Sequence, residues 1–226
     1  MKFVKKLELY IRKHPRVLYF ASFFYCLFGM NITRGLHKQN VIKRNGAFIK
    51  HFNVKFYGSH NSIEIEEGVR LRNCLIQVFS DNNQIRIGHD CCGQRLNIWI
   101  SDGGNIDIGH NSWFTGSIHI ACIEGKNVII GDKCLFSDGI TIRSGDSHSV
   151  LNLSGDRINA SKDICIGNHV WVGQDVKILK GSTIGNDCII GTGSIITGKN
   201  FNSNCAIAGN PAKVIKEQVT WDPNLL

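Results

Sequence analysis

Proline is scarce in this sequence and C-x-x-C cysteine pairs are absent, and each of these features excludes a class of protein. Only 3 of the 226 residues are proline and 42% are hydrophobic, so the chain has the composition of one folded domain rather than of a disordered segment. Nine cysteines occur, yet no two form a C-x-x-C motif, which argues against a zinc cluster or a dithiol redox site. We expect the cysteines to be small buried side chains in a reduced, cytoplasmic protein.

Acidic residues are nearly absent from the first fifty positions. Residues 1–50 hold eleven Lys or Arg and one acid, Glu8, and this segment accounts for the formal net charge of +8. The other 176 residues carry 15 basic and 17 acidic side chains, so they offer no broad positive face to a phosphate backbone. We therefore expect no nucleic-acid partner.

A hydrophobic run long enough to span a bilayer is also missing. The segment from Val17 to Met30 has 14 residues, whereas a spanning helix needs about 20. Pro15 suits the first turn of a helix, so residues 1–30 are predicted to form two short helices, the second rich in aromatic residues. Two interpretations stand equally: either this segment contacts the inner surface of the cytoplasmic membrane, or it packs on the body or on another subunit. A cleaved secretory signal ranks behind both, because the segment has no clear small-residue cleavage pattern and nine cysteines suit a reducing compartment.

Beyond residue 163 a period of six residues takes over, in the run ICIGNH VWVGQD VKILKG STIGND CIIGTG SIITGK. Aliphatic residues recur at Ile166, Val172, Ile178, Ile184, Ile190 and Ile196. Smaller side chains fall four positions later, at Val170, Val176, Ser182, Cys188 and Ser194. Neither a helix nor a hairpin has this period. It predicts a coil of three short strands with both sets of side chains inside and with glycine relaxing the corners. The corner glycines are Gly167, Gly173, Gly185 and Gly191.

Longer coils of the same kind precede this run. The second aliphatic residue of each strand is Ile65, Ile87, Ile108, Ile130 or Ile166, at spacings of 22, 21, 22 and 36 residues. The last spacing contains an insertion of about one coil, the polar stretch 144–163. The sequence therefore predicts a parallel β-helix of about seven coils over residues 46–216. A basic helical extension over 1–45 and a tail over 217–226 flank it.

Several stretches resemble the left-handed β-helix acyltransferases, over about residues 55–216. The closing stretch AIAGNPAKVIK is similar to the A-G-N-P-A-K-x-I signature of that family. The stretches GDSH, GDRINASKDICIGNHVW and ILKGSTIGND are similar to O-acetyltransferases of capsule and lipopolysaccharide gene clusters, including the bacterial polysialic-acid O-acetyltransferases. The resemblance implies a left-handed all-β solenoid. It also implies transfer of an acetyl group from acetyl-CoA to a sugar hydroxyl of a surface polysaccharide, such as a sialic-acid capsule or an O-antigen.

His148 stands out among the nine histidines because it lies where the repeat gives way to a loop, and loops on rigid scaffolds carry function. Histidine is a suitable base near neutral pH. His148 also occupies the histidine position of the related acetyltransferases, which implies a general base. Asp146 matches the acid of their D-x-H pattern, and it either orients the imidazole or only caps the turn.

Trp171 is the second unusual residue. It follows the inward Val170, so its side chain should point outward, where an uncovered indole is costly. The resemblance implies a catalytic role for Trp171 beside the histidine, and burial at a subunit contact is the alternative. The adjacent His169 is a minor candidate for the base.

The resemblance further implies that coenzyme A lies along the C-terminal coils, between two subunits of a homotrimer. The residues assigned to this cofactor are Gly173, Lys180, Gly191, Thr197, Lys199 and Lys213. Lys213 is expected to face a phosphate, because an ammonium group is a compact charge. The alternative for the glycines is corner geometry alone, and for Lys180 and Lys199 a solvated surface. No metal is expected.

Two other functions fit the same fold. A γ-class carbonic anhydrase would bind zinc through three histidines that include an H-x4-H pair, and no two histidines here are five positions apart. A solenoid that only binds carbohydrate stays open, because the coil pattern by itself requires no chemistry.

Overall fold

The six-residue period folds into stacked three-sided coils, in which each side is one short strand. The computed structural model describes residues 14–36 and 39–225. A 15-stranded sheet covers two sides of the coils and an 8-stranded sheet covers the third. These features confirm the predicted left-handed parallel β-helix of about seven coils, with a short helix before it and one long inserted loop.

The first side consists of β7 (Cys92–Gln94), β10 (Trp113–Phe114), β13 (Leu135–Phe136), β16 (Trp171–Val172), β19 (Ile189–Ile190) and β22 (Cys205–Gly209). The second side consists of β1 (Ile32–Arg34), β3 (Phe48–Phe56), β5 (Arg70–Phe79), β8 (Leu96–Ser101), β11 (Ile118–Cys122), β14 (Ile140–Arg143), β17 (Lys177–Leu179) and β20 (Ile195–Ile196). The long strands β3 and β5 begin on the first side, where Arg70–Arg72 pair with β7. The third side consists of β2 (Val41–Arg44), β4 (Ser62–Ile65), β6 (Gln84–Ile87), β9 (Asn105–Ile108), β12 (Asn127–Ile130), β15 (Ile164–Ile166), β18 (Thr183–Ile184) and β21 (Asn200–Phe201). The last strand, β23 (Ala212–Glu217), turns back antiparallel on β22.

One row of aliphatic side chains fills the interior behind the second side. In the parallel register these residues stack on one another, and each is at most 1% exposed: Val54, Ile76, Ile98, Ile120, Ile142, Ile178 and Ile196. Burying each side chain contributes about 1.5–3 kcal/mol. All the aliphatic and smaller positions predicted to face inward between residues 166 and 196 are buried, which confirms the six-residue period.

The reason predicted for the glycines of the repeat is wrong. The left-handed backbone of each turn falls three residues after an inward aliphatic one, whether or not that position is glycine: His169, Asp175, Gly181, Asp187 and Gly193. Gly173 is needed because successive coils approach closely. A Cβ there would lie 2.8 Å from the carbonyl oxygen of Ile190, a distance that real Cβ atoms do not show. Small size rather than backbone freedom therefore selects glycine at this position.

A ladder of buried asparagines joins coils at the corner between the second and third sides. The Asn61 amide donates to Asn40 Oδ1 at 3.1 Å, and the Asn83 amide donates to Asn61 Oδ1 at 2.9 Å. Asn61 Oδ1 also accepts the Asn83 backbone N–H at 2.8 Å. The three side chains are 1–5% exposed, so these hydrogen bonds satisfy amides that water cannot reach.

The helix α1 (Pro15–Leu27) packs on the first described coil, and a proline lies in its first turn as predicted. Leu18 is buried, and the Tyr25 and Phe48 rings meet edge to face with centroids 5.7 Å apart. Away from the coil, three phenylalanines are 63–76% exposed: Phe20, Phe23 and Phe28.

The other predicted helix falls on residues 1–13, outside the described residues. In the part of the chain that is described, no helix is both long and apolar enough to cross a bilayer. The strands β1 and β2 lie within the segment 1–45 and already pair with β3 and β4 of the solenoid.

All nine cysteines are free thiols, and six are buried: Cys74, Cys91, Cys122, Cys134, Cys188 and Cys205. Burial raises the pKa of Cys91 and of Cys122 to about 12, so these thiols stay protonated at neutral pH. For these six the interpretation as buried structural side chains agrees with the fold. Cys165 is exposed on the third side.

Candidate active site

The inserted loop joins β14 to β15 and covers residues 144–163, the stretch marked by the broken spacing. The coil resumes in register beyond it, because Ile130 pairs with Ile166 as it would without an insertion. The Lys162 backbone N–H donates to the Ser144 carbonyl oxygen at 2.9 Å. The solenoid therefore holds both ends of the loop together, at the corner between the second and third sides.

Lys180 clamps the beginning of the loop to its end. Its ammonium group donates to the Asp146 carboxylate and, at 2.9 Å, to the backbone oxygen of Asn159. The Asn159 amide donates to the same carboxylate at 2.9 Å. The hydrogen bond from Lys180 holds the pKa of Asp146 below its usual value, against the opposing effect of partial burial. Asp146 therefore stays ionised at neutral pH and the clamp persists.

His148 follows the clamp, with its side chain exposed. Its backbone oxygen accepts a hydrogen bond from the Asn159 amide at 2.7 Å, so the clamp also fixes the backbone that carries the imidazole. Among the described residues the imidazole makes no hydrogen bond, because the Asp146 carboxylate is bound by Lys180 and Asn159 instead. The structure presents an accessible imidazole on an anchored backbone, without the direct Asp–His contact that one interpretation of Asp146 required.

A second attachment holds the far part of the loop. Arg157 donates to Glu124 of the solenoid at 2.6 Å, and this guanidinium holds the pKa of Glu124 below its usual value. Beyond these polar anchors the loop leaves four apolar side chains at least 51% exposed: Val150, Leu151, Leu153 and Ile158. A cluster of exposed apolar side chains marks a surface that contacts another molecule.

Trp171 points outward from β16, as its position in the repeat predicts, and it is 41% exposed. The C-terminal tail folds back beside it, with the Trp221 ring 6.0 Å from the Trp171 ring and stacked on His169 at 4.5 Å. The Trp221 indole donates to the His169 backbone oxygen at 2.8 Å, and His169 Nδ1 lies 2.8 Å from a carboxylate oxygen of Asp187. The His169 ring therefore packs against Trp221 of the tail and is paired with the Asp187 carboxylate.

Three of the cofactor candidates, Gly173, Gly191 and Lys213, lie on the first side together with Trp171. Gly173 and Gly191 form a row of very small side chains on successive coils, and Ala208 of the next coil continues this row. The exposed Lys213 pairs with Ala208 across β22 and β23. A smooth row beside an indole, with an ammonium group at its end, fits a long thin ligand that carries a phosphate.

The remaining cofactor candidates lie at the loop corner. Lys180 belongs to the clamp, and the exposed Thr197 and Lys199 follow on the next coil, where the Lys199 carbonyl oxygen accepts the Thr183 backbone N–H at 3.0 Å. In a three-sided coil this corner is opposite the first side. His148 and Trp171 therefore do not meet within one protomer.

Sequence reasoning missed two residues of this region. Asn159 holds both Asp146 and His148, and Trp221 contacts Trp171. Both lie outside the periodic strands, so no spacing draws attention to them. Within residues 14–36 and 39–225, no three His, Cys, Asp or Glu side chains are grouped as metal ligands would be.

Comparison with known proteins agrees with the fold and with the enzyme class. The family model for the bacterial transferase hexapeptide (six repeats) matches residues 166–198. The polysialic acid O-acetyltransferase of Neisseria meningitidis is 34% identical over 187 residues, which are 73% of this chain and 86% of that protein. The crystal structure of the polySia specific acetyltransferase NeuO aligns with a TM-score of 0.74 at 33% identity, over 86% of this chain and 85% of that chain.

The polysialic acid O-acetyltransferase of Escherichia coli O1:K1 / APEC is 36% identical over 120 residues, and this alignment spans 38% of that protein's length. The Neisseria protein, by contrast, is matched over most of its length. These likenesses confirm the predicted family and enzyme class. The chain belongs to the hexapeptide-repeat O-acetyltransferase family that includes the polysialic acid O-acetyltransferases.

Proposed function

We propose that this protein transfers the acetyl group of acetyl-CoA to a hydroxyl group of a bacterial surface polysaccharide. The observation that carries the proposal is the anchored loop, which presents an accessible histidine on a fixed backbone. The first side of the coil adds an outward indole and a row of small residues that ends at a lysine. Two relatives are named polysialic acid O-acetyltransferase, which agrees with acetyl transfer to a polysaccharide.

His148 acts as the general base. Its exposed imidazole accepts the proton of the acceptor hydroxyl while the hydroxyl oxygen bonds to the thioester carbonyl carbon. The imidazolium then returns the proton to the departing sulfur as the C–S bond breaks. An imidazole suits both steps because it gains and loses a proton near neutral pH. Lys180 and Asn159 position His148 through the backbone of the loop.

When bound, acetyl-CoA supplies an acetyl group that is activated as a thioester. Gly173 and Gly191 leave room for its pantetheine chain beside Trp171, and Lys213 provides a charge for a phosphate. The Trp171 indole N–H is a donor for the carbonyl oxygen, where negative charge develops in the transition state. Thr197 and Lys199 would contribute from the loop corner, whereas we assign Lys180 to the loop.

The active unit of this proposal is a homotrimer. A complete site forms where the loop corner of one protomer meets the first side of its partner, because one protomer holds these parts on opposite sides. Three copies arranged head to tail in a closed ring complete all three sites. This arrangement would also cover the four exposed apolar residues of the loop.

We further infer that the enzyme works in the cytoplasm, at the inner face of the membrane. Its thiols are all free, as in a reducing compartment. The exposed phenylalanines near α1 lie in a segment rich in Lys and Arg, and this combination suits the interface of a bilayer with anionic headgroups. The alternative, packing of this surface on another subunit, predicts no membrane association.

The experiment that tests the function is acetyl transfer from labelled acetyl-CoA to capsule and O-antigen glycans. His148→Asn should reduce kcat at least 100-fold, which is the lower range of a general-base contribution. His60→Asn is the matched control, because His60 is also exposed and its φ of 58° is one that asparagine tolerates. Equal rates for the two variants would remove His148 as the base. If the wild-type protein transfers acetyl groups to none of the glycans, the alternative of a non-catalytic, carbohydrate-binding solenoid is favoured.

A further inference from the structure

A cavity of about 440 Å³ opens on the first side, nearer the N-terminal end of the solenoid than Trp171. Its walls include Arg70, Arg72, Cys92, Gln94, Trp113 and Thr115. The Trp113 side chain is 49% exposed, and Arg72 is exposed as well. The lining contains no acidic residue, and the cavity presents the exposed Arg72 guanidinium beside an indole, with Arg70 adding positive charge to the wall.

These groups fit a sugar that carries a carboxylate. A guanidinium binds a carboxylate through two parallel N–H donors, and an indole offers an apolar face on which the C–H groups of a sugar ring can pack. A phosphate group would be attracted by the positive charge of the same arginines. The lysine suited to the cofactor phosphate is Lys213, however, which lies at the opposite end of the solenoid.

The cavity lies on the same face of the solenoid as Trp171. In the parallel register one outward row runs along the first side through Arg70, Cys92, Trp113, Leu135 and Trp171. Because neighbouring strands lie about 4.8 Å apart, Trp113 is about 10 Å and Arg70 about 19 Å from Trp171 along this row. A single sugar cannot reach from Trp171 to Arg70, whereas a polysaccharide chain can.

We propose that this cavity binds a carboxylate-bearing sugar of the acceptor chain, at a distance from the sugar that is acetylated. The proposal rests on the proposed function, since it takes the acceptor to be a glycan. Binding at the cavity raises the effective concentration of the reacting sugar, because both belong to one chain. The protein should therefore prefer acidic polymers to neutral ones and long chains to short ones.

The test measures the affinity of the full-length protein for a linear polymer of sialic acid, with dextran as the neutral polymer. Arg72→Gln and Trp113→Ala should each raise Kd for the acidic polymer about tenfold, the loss of one charge-assisted or packed contact. Arg34→Gln removes an exposed arginine of the second side and should leave Kd unchanged. Equal affinity of the Arg72→Gln and Arg34→Gln proteins, or tight binding of dextran, overturns the proposal.

Cys92 provides a second readout, because it lines the cavity while the exposed Cys165 lies on the third side. The acidic polymer should slow alkylation of Cys92 several-fold and leave Cys165 unaffected. If Cys92 does not react even without the polymer, the cavity is covered by a contact between protomers. Stronger protection by inorganic phosphate than by the polymer would assign it to a phosphate ligand. Either result overturns the proposal.

Acetyl transfer is measured separately on the same preparations. A protein that binds the acidic polymer through the cavity but transfers no acetyl group refutes the proposed function and leaves the binding site standing. A protein that acetylates the polymer with the same KM in the Arg72→Gln variant refutes the binding site and leaves the function standing. The two failures are therefore distinguishable.

Discussion

Replacing Lys180 with methionine should free the loop that carries His148 while the solenoid stays folded. The change removes the ammonium donor to Asp146 and to the Asn159 backbone oxygen but keeps an unbranched apolar side chain that is one atom shorter. The Asp146 side chain is 46% exposed, so solvent screens the ion pair and about 0.5 kcal/mol is a fair value for it. The hydrogen bond to Asn159 adds about 1 kcal/mol.

The resulting loss of about 1.5 kcal/mol corresponds to roughly a tenfold fall in the equilibrium constant for closing the loop. We expect amide hydrogen exchange over residues 144–163 to accelerate about tenfold and kcat to fall by a similar factor when the loop is predominantly open. The melting temperature should change by less than about 4 °C, because the loop can open without unfolding the coils. Lys177→Met, which removes an exposed lysine of the preceding strand β17, is the control.

The pH dependence supplies a further check. The pKa of Asp146 is lowered in the folded protein, so the clamp contributes fully above the unfolded value of about 3.9 and is lost as pH falls through the lower, folded value. Between pH 6 and 9 the ratio of wild-type to Lys180→Met activity should therefore be constant, at about tenfold. Unchanged exchange in the loop, combined with a raised KM for acetyl-CoA alone, would show that Lys180 binds the cofactor and would refute this reasoning.

Two further predictions concern the solenoid. Asn61→Ala should lower the free energy of unfolding by about 2 kcal/mol, because it leaves the buried Asn83 backbone N–H without an acceptor, whereas Asn97→Ala at an exposed position should change it by less than about 0.5 kcal/mol. Equal losses in chemical denaturation would contradict the ladder. Alkylation at pH 8 should label the exposed Cys165 rapidly. It should spare the four thiols whose pKa is raised by burial to about 11 or 12, which are Cys74, Cys91, Cys122 and Cys134. Rapid labelling of these four thiols before unfolding would contradict the fold.

The periodic parts of the molecule are predictable from the sequence because each coil needs side chains of similar size and polarity at the same inward positions. Ile166 and Ile178 must fill the same interior space, so their spacing reveals the strands and the insertion between coils. Outward positions are less constrained, and only the contrast with the inward Val170 indicated the orientation of Trp171. The repeat predicts a corner role for glycine at 173, whereas the observed role, room for the close approach of the next coil, depends on the register between coils.

The polar anchors of the loop could not be predicted in the same way. Asp146 and Lys180 are 34 positions apart in the sequence. They meet only because the corners that carry them belong to successive coils and stack directly on each other. Glu124 likewise meets Arg157 across 33 positions, and Asn159 reaches Asp146 because the loop closes on itself. Contacts of this kind follow from the coil stacking, which sequence spacing shows for the strands but not for an inserted loop.

The most direct test of the account mixes two inactive variants. A chain with His148→Ala keeps Trp171, and a chain with Trp171→Ala keeps His148, so a site shared between protomers can combine the two intact residues. When both chains are co-expressed in equal amounts and assemble at random, about one quarter of the sites in closed rings should be intact. The account predicts that acetyl transfer to the glycan returns to about one quarter of the wild-type rate per site. A mixture as inactive as either variant alone would contradict a site built from the loop of one protomer and the first side of its partner.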